Sequence, residues 1–135
     1  TGRDNAVSCG ANKDDVLLTG GSAPGSASTH VETWNGGSWT TIASMSTGRK
    51  SSGISGSTTL ALAFGGEGST ATERWNGTAW STSPASLSSG REKCGKATGS
   101  TTSTLAFSGY SSSSIINGTE EWAASQGTQT VSENA

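Results

Sequence analysis

The stretch TWNGGSW at residues 33–39 returns as RWNGTAW at residues 74–80, 41 positions further along the chain. In both copies, two tryptophans flank a four-residue segment that contains Asn-Gly. Asn-Gly readily supplies the positive-φ residues that a tight hairpin turn needs. The cassette therefore predicts two β-hairpins, in which Trp34 faces Trp39 and Trp75 faces Trp80 across neighbouring strands.

Other landmarks recur in the same order around these hairpins. A Thr/Ser-Gly-Arg stretch ends at Arg3, Arg49 and Arg91. Each Arg is followed by a short apolar run, and the Gly-Gly or Ser-Gly pair that ends the run begins 16 or 17 residues after the Arg. A loop, a Glu and a Trp come next. Recurrence at a fixed period is the signature of a repeat architecture. We therefore divide the chain into three repeats at about 1–46, 47–88 and 89–135.

The spacing within each repeat is that of β-strands. Apolar and polar residues alternate over four to seven positions between Gly, Asn-Gly and Ser clusters, and no stretch shows a helical period. In the middle repeat we predict strand A at about 50–55, strand B at 60–65, strand C at 71–75 and strand D at 80–83. The sequence thus predicts an all-β protein, and a four-stranded antiparallel unit repeated about every 42–46 residues is typical of a β-propeller.

The landmarks also resemble the kelch motif. Its features are an Arg before strand A, a diglycine closing strand B, an acidic residue and an aromatic on strand C, and a Trp opening strand D, as in Gly48-Arg49, Gly65-Gly66, Glu32, Trp34 and Trp39. The resemblance covers nearly the whole chain and implies propeller blades. Kelch repeats usually carry Tyr where Trp34 stands, and the third repeat has no second Trp. The W-N-G-x-x-W motif is most similar to the repeats in the kelch-like arrays of phage tail-fibre and virion-surface proteins.

Three blades do not close a propeller, which typically has four to eight. A four-stranded face covers about 300 Å². With half of it apolar, exposure to water forfeits on the order of 4 kcal/mol at each end. We therefore expect the ring to be completed by a second copy, giving six blades, or by further repeats of a longer chain.

Composition and charge exclude several classes of function. The chain has 26 Ser, 20 Thr and 20 Gly, but its net charge is only −2. A nucleic-acid binder would need a basic stripe, and the longest apolar run, 60–64, is too short to span a bilayer. No secretory n-region and h-region opens the sequence. We expect no nucleic-acid partner and no membrane insertion, in a protein that reaches its place by assembly or has a leader outside this sequence.

Catalytic and metal-binding patterns are also missing. His30 is the single histidine and Tyr110 the single tyrosine, so the Tyr, His and Cys ligand set of copper-oxidase propellers is incomplete. Asp14-Asp15 offers too few oxygens for calcium and is interpreted as a turn. Cys9 and Cys94 form neither a zinc motif nor a disulfide framework and are interpreted as small buried residues. We expect no enzyme, no metal and no cofactor.

The repeated arginines allow two interpretations. Arg3, Arg49 and Arg91 should ring one mouth of the channel. Each could pair with a strand-C glutamate, which we assign as Glu32, Glu73 and Glu121. Alternatively, free guanidinium groups could capture an anion such as an acidic sugar.

We assign a structural role to the tryptophans and a recognition role to the variable loops. We assign the tryptophans to the core between blades rather than to sugar stacking, and they are Trp34, Trp39, Trp75, Trp80 and Trp122. The B–C loops, at 22–30, 67–70 and 110–118, vary in length and sequence, and the kelch resemblance implies that they share a face with the D–A loops. Variable loops on a rigid scaffold are the usual place for recognition. The candidate ligand-binding residues are therefore His30, Glu67 and Tyr110, together with the three arginines.

The resemblance and the loops together predict a non-catalytic module at a virion surface or outside the cell. Its loop face would contact a host-surface glycan or protein, as part of a phage or virion fibre. Two alternatives stay open at this point. One is a purely structural assembly propeller that binds another virion protein, and the other is a bacterial secreted or surface lectin or adhesin.

Overall fold

The computed structural model describes residues 2–94, 99–111, 113–123 and 128–132. Every regular element in these ranges is a β-strand, and no helix occurs in them. The predicted all-β class is therefore confirmed. Within the same ranges there is accordingly no helix long and apolar enough to cross a membrane.

The first sheet is an antiparallel meander with one insertion. Its strands, in spatial order, are β1 (Val7–Asn12), β2 (Asp15–Thr19), β5 (Val31–Trp34) and β6 (Trp39–Thr41). The insertion between β2 and β5 is a small hairpin of β3 (Ser22–Ala23) and β4 (Ser26–Ala27). Trp34 pairs with Trp39 across β5 and β6, so the first predicted Trp hairpin is confirmed.

The second sheet repeats the meander without an insertion. Its strands are β7 (Gly53–Gly56), β8 (Ala61–Phe64), β9 (Thr72–Trp75) and β10 (Trp80–Thr82). The four strands predicted for this repeat are present, but the first begins three residues later than expected. Ser51 has a φ of 53°, which lies outside the β region and keeps the preceding residues out of the strand.

The third sheet has the same order of strands. They are β11 (Gly99–Ser100), β12 (Ser103–Phe107), β13 (Thr119–Ala123) and β14 (Thr128–Ser132). Each sheet therefore consists of four consecutive antiparallel strands, apart from the inserted hairpin. The three sheets fall one in each repeat.

The second sheet packs between the other two. Its strand β8 alternates: Ala61 and Ala63 join the core shared with the first sheet, whereas Leu62 and Phe64 join the core shared with the third. The first strands of the sheets are neighbours, since β7 lies beside both β1 and β11. The sheets are thus stacked face to face with their first strands together on one side.

One glycine in β7 makes room for the ring of Phe64. A Cβ built on Gly53 would lie 2.1 Å from Cε2 of Phe64, its partner across β7 and β8. The ring of Phe64 therefore lies directly over the backbone of β7. Only the absence of a side chain at position 53 permits that contact.

The tryptophans do not all lie in the core. Trp75, Trp80 and Trp122 are buried between sheets. Trp34 is only half-buried and Trp39 is 48% exposed, so the assignment of Trp39 to the core is wrong for this chain. The reason is positional: the two residues lie on the face of the first sheet that points away from the second.

Candidate functional site

The loops before strands C and A meet at one end of the sheets, which we call the loop face. It comprises the B–C loops 20–30, 65–71 and 108–118 and the D–A loops 42–52 and 83–94. Bridges join them, between Ser28 and Arg49 and between Glu92 and Tyr110. The two kinds of loop therefore do share a face, as the kelch resemblance implies.

Arg49 is enclosed within this end of the molecule. Its Nη1 donates to the carbonyl oxygens of Gly65 at 2.7 Å and Ala71 at 2.9 Å, which flank the second B–C loop. Its Nε and Nη2 donate to Glu73 Oε1 at 3.3 and 3.1 Å. The side chain of Arg49 is 2% exposed and that of Glu73 is 1% exposed, so this guanidinium is not available to a ligand.

Arg91 repeats the arrangement one sheet later. Nη1 donates to the carbonyl oxygens of Ser108 and Gly118, and Nη2 forms a buried ion pair with Glu120. The predicted pairing with Glu121 is therefore wrong. Glu121 is exposed because neighbouring residues of a strand point to opposite faces, and only Glu120 precedes a Trp by two positions as Glu73 does.

Arg3 makes the third pair, in a more open setting. Its Nη2 donates to Glu32 Oε2 at 2.7 Å, and its Nη1 donates to the carbonyl oxygen of His30 at 3.1 Å. Its side chain is 4% exposed, against 16% for Glu32. All three arginines are therefore ion-paired, and the anion-capture interpretation loses its free guanidinium groups.

The glutamates of the two inner pairs also fasten the preceding D–A loops. Glu73 accepts hydrogen bonds from the backbone N–H groups of Ser46 at 2.7 Å and Thr47 at 3.2 Å. Glu120 accepts one from Ser88 at 2.7 Å. A carboxylate that receives both a guanidinium and backbone N–H donors has its charge well compensated. These residues hold the loops in place.

The remaining predicted ligand-binding residues lie in three separate groups. His30 is 33% exposed and its Nε2 lies 3.7 Å from Glu32 Oε1. Glu67 forms an exposed ion pair with Lys50 at 2.7 Å, and its hydrogen bond raises the pKa of Lys50. Each group belongs to a different B–C loop.

The third group contains Tyr110 and is the most apolar. Tyr110 is 38% exposed, and Lys93 Nζ lies 6.0 Å from the centre of its ring. Ile115 bridges to Tyr110 through the backbone and is itself 74% exposed. Of this group, the sequence predicts only Tyr110 as a binding residue. Ile115, in the same B–C loop, and Lys93, in the neighbouring D–A loop, are also large side chains that do not repeat.

Two recesses lie at the opposite end of the sheets. One, of about 380 Å³, is formed where the three A–B turns meet and is lined by small residues such as Gly10, Gly56 and Ser100. The other, of about 400 Å³, includes Asp14 and Trp75. Throughout the described ranges, no three His, Cys, Asp or Glu side chains are grouped so that they could hold a metal ion.

Comparisons with known proteins add information on the fold. No protein-family model matches the chain, and neither does any curated protein. The chain is similar to the solved structure of YjhT, with a TM-score of 0.77 and 20% sequence identity. The likeness covers 98% of this chain but only 46% of that one. At this identity the likeness concerns the fold alone, and this chain spans less than half of the other.

Proposed function

We propose that the three sheets are blades of a kelch-like β-propeller and that the protein is a non-catalytic recognition module. The face-to-face stacking of four-stranded meanders, with β7 beside both β1 and β11, supports the arrangement.

One observation carries the functional part of the proposal. On the loop face, the repeated arginines are buried and paired with glutamates, whereas Tyr110 and Ile115, which do not repeat, are exposed. Tyr110 and Ile115 are 38% and 74% exposed, on a loop anchored to Glu92 and, through Gly118, to Arg91. Exposed apolar side chains on a fixed loop are typical of a contact surface.

The chemistry of this surface suits a glycan or a protein surface. Tyrosine offers a large rigid ring with a polar end, while the Ser and Asn around it can adapt their hydrogen bonds. Together with the W-N-G-x-x-W resemblance, this favours a fibre at a phage or virion surface, or an extracellular location, with a host-surface glycan or protein as its target. No enzymatic role is proposed.

The test is a glycan array probed with the purified protein, followed by titration of any hit. We expect binding that falls about tenfold or more in Tyr110→Ala and in Ile115→Ser, since anchor residues often cost over 1 kcal/mol when truncated. Leu60→Ser is the matched control, because Leu60 is 50% exposed but lies in an A–B turn at the opposite end.

The other outcomes separate the alternatives. If no glycan binds and a virion protein associates tightly through the same residues, the assembly propeller replaces the proposed function. Glycan binding by a protein that a bacterium secretes or displays would favour the lectin. Ligand binding that survives both loop variants but fails in Leu60→Ser would overturn the choice of face.

A further inference from the structure

Equivalent leucines in the three repeats differ in exposure. Leu17, Leu62 and Leu105 each stand two residues before the last residue of strand B, in β2, β8 and β12. Leu17 is fully buried against the second sheet and Leu62 is 1% exposed against the third, whereas Leu105 is 40% exposed. In the first two repeats this position is buried by the following sheet, and no sheet in the described part of the chain covers it in the third.

The neighbouring aromatic position shows the same difference. Phe64 and Phe107 are the last residues of β8 and β12. Phe64 is 2% exposed under the third sheet, while Phe107 is 36% exposed. We call the open surface of the third sheet, which carries Leu105, Phe107 and Glu121, the trailing face.

At the other end of the stack, the first sheet exposes tryptophans whose equivalents in the second sheet are buried. Trp75 and Trp80 are packed 5.5 Å apart and buried by the first sheet. Their equivalents Trp34 and Trp39 are packed at 5.6 Å, yet Trp39 is 48% exposed against 8% for Trp80. We call the open surface of the first sheet, with Val16, Leu18, Trp34 and Trp39, the leading face.

Both interfaces inside the chain join these two kinds of face. In the first, Leu17 packs in one core with Trp75 and Trp80. In the second, Leu62 and Phe64 pack in one core with Trp122. A trailing surface thus covers a leading surface each time, and among the described residues one surface of each kind stays uncovered.

Backbone hydrogen bonds at the loop face fix how one sheet sits on the next. Gly21 N donates to Arg49 O, and one repeat later Gly66 N donates to Arg91 O, both at 2.8 Å. If a second copy covered the trailing face in the same way, Gly109 N would donate to the carbonyl oxygen of Arg3 in that copy.

A second backbone series runs beside the first strands. Ser51 N donates to Asn5 O at 3.0 Å, and Lys93 N donates to Ser51 O at 2.7 Å. The three residues have nearly the same φ, between 52° and 53°. The register between sheets is therefore a property of the repeat, and it can be continued onto a second copy.

We propose that the trailing face of one copy binds the leading face of a second copy, twice over, so that two chains close a ring of six sheets. Four faces of about 300 Å² would be covered, about 1,200 Å² in total, which is within the range of stable interfaces. Each contact joins unlike surfaces of the two copies, and a two-fold rotation makes both contacts at once, so that the ring closes. This inference rests on the stacking of the sheets and needs no ligand.

The experiment is native mass spectrometry with light scattering over a dilution series. We expect a dimer of the 13.4-kDa chain. Leu105→Asp and Trp39→Asp should each raise the dimer dissociation constant about tenfold or more, because a buried charge without a partner is costly at an interface. Ser81→Asp is the matched control, since it adds the same charge to an exposed strand residue of the middle sheet. Circular dichroism checks that each variant keeps its strands.

Mixing the two variants tests the pairing of unlike faces. A heterodimer of Leu105→Asp and Trp39→Asp has one interface with both substitutions and one with neither. We expect the mixture to form more dimer than either variant alone. If like faces pair instead, the mixed dimer has one substituted partner in each of its two interfaces, whereas each variant alone keeps one unsubstituted interface, so the mixture shows no gain.

Three results would overturn the inference: a stable monodisperse monomer, a ladder of open oligomers, or a dimer unaffected by both face variants. None of them depends on ligand binding, because Tyr110 and Ile115 lie on the loop face. A failed glycan test with an intact dimer would therefore remove the proposed function and leave the ring in place.

Discussion

The Nη2 atom of Arg49 lies 3.1 Å from Oε1 of Glu73, and both side chains are at most 2% exposed. Arg49 reaches the pair from a D–A loop, while Glu73 belongs to strand β9. Because Glu73 also accepts backbone N–H groups from Ser46 and Thr47, the pair fastens one loop to the next sheet. The loss of either partner would leave a buried charge without compensation.

Arg49→Ala should therefore destabilise the fold strongly. We expect a loss of about 3–5 kcal/mol in the free energy of unfolding, because removing one member of a buried ion pair strands the other. Urea denaturation followed by tryptophan fluorescence measures it. Arg74→Ala is the control: Arg74 is the next residue of the same strand but is exposed, so its change should stay within about 0.5 kcal/mol.

An opposite pattern would restore the recognition role of the arginines. If Arg49→Ala left the unfolding curve unchanged and abolished binding of a ligand, the guanidinium would have to be reachable by that ligand. Because the guanidinium is enclosed, we expect Arg49→Ala to lower the free energy of unfolding rather than to remove a contact with a ligand.

The glycine of the Thr/Ser-Gly-Arg stretch should be replaceable in only one repeat. A Cβ on Gly90 would lie 1.7 Å from the carbonyl oxygen of Gly68, and one on Gly48 would lie 2.4 Å from that of Ala27. No atom is within 4 Å of a Cβ on Gly2. We expect Gly90→Ala to cost about 1–3 kcal/mol through backbone displacement and Gly2→Ala to be neutral, in thermal unfolding at protein concentrations low enough for the chain to be monomeric, where no second copy covers Gly2. Equal effects would mean that the loops do not approach as closely as described.

Much of the strand order could be predicted because the same landmarks recur in the same order in all three repeats. The Trp-Asn-Gly cassettes marked both C–D hairpins, since the turn chemistry and the flanking strands agree. The Glu-x-Trp spacing would also have identified Glu120 rather than Glu121, because a period of two separates the faces of a strand.

Other features could not be predicted from the residue types. Asn5, Ser51 and Lys93 share a positive φ, yet Asn alone among them favours that conformation, and the tertiary links between sheets impose it on the other two. The exposure of Trp39 has a similar cause. Its sequence context matches that of Trp80, and only its place at the end of the stack makes it different.

The side chain of Asn76 should contribute to the second Trp hairpin. Its Oδ1 accepts hydrogen bonds from the N–H groups of Thr78 at 2.9 Å and Ala79 at 2.8 Å, which closes the turn between β9 and β10. We expect Asn76→Ala to lower the free energy of unfolding by about 1 kcal/mol. Asn76→Asp keeps the acceptor oxygen and should lose less, so equal losses in urea denaturation would show that the acceptor is not what stabilises the turn.

The thiol of Cys94 should react slowly until the protein unfolds. Burial raises its pKa, although the charge of Arg91 acts in the opposite direction. A raised pKa means that less thiolate is present at a given pH, and the thiolate is the reactive form. Alkylation by iodoacetamide, located by peptide mapping, should therefore be slower at pH 8 than for the same cysteine in urea, and should accelerate as the pH rises above the usual thiol range. Equal rates in the folded and the unfolded chain would contradict the burial of this residue against the core between the second and third sheets.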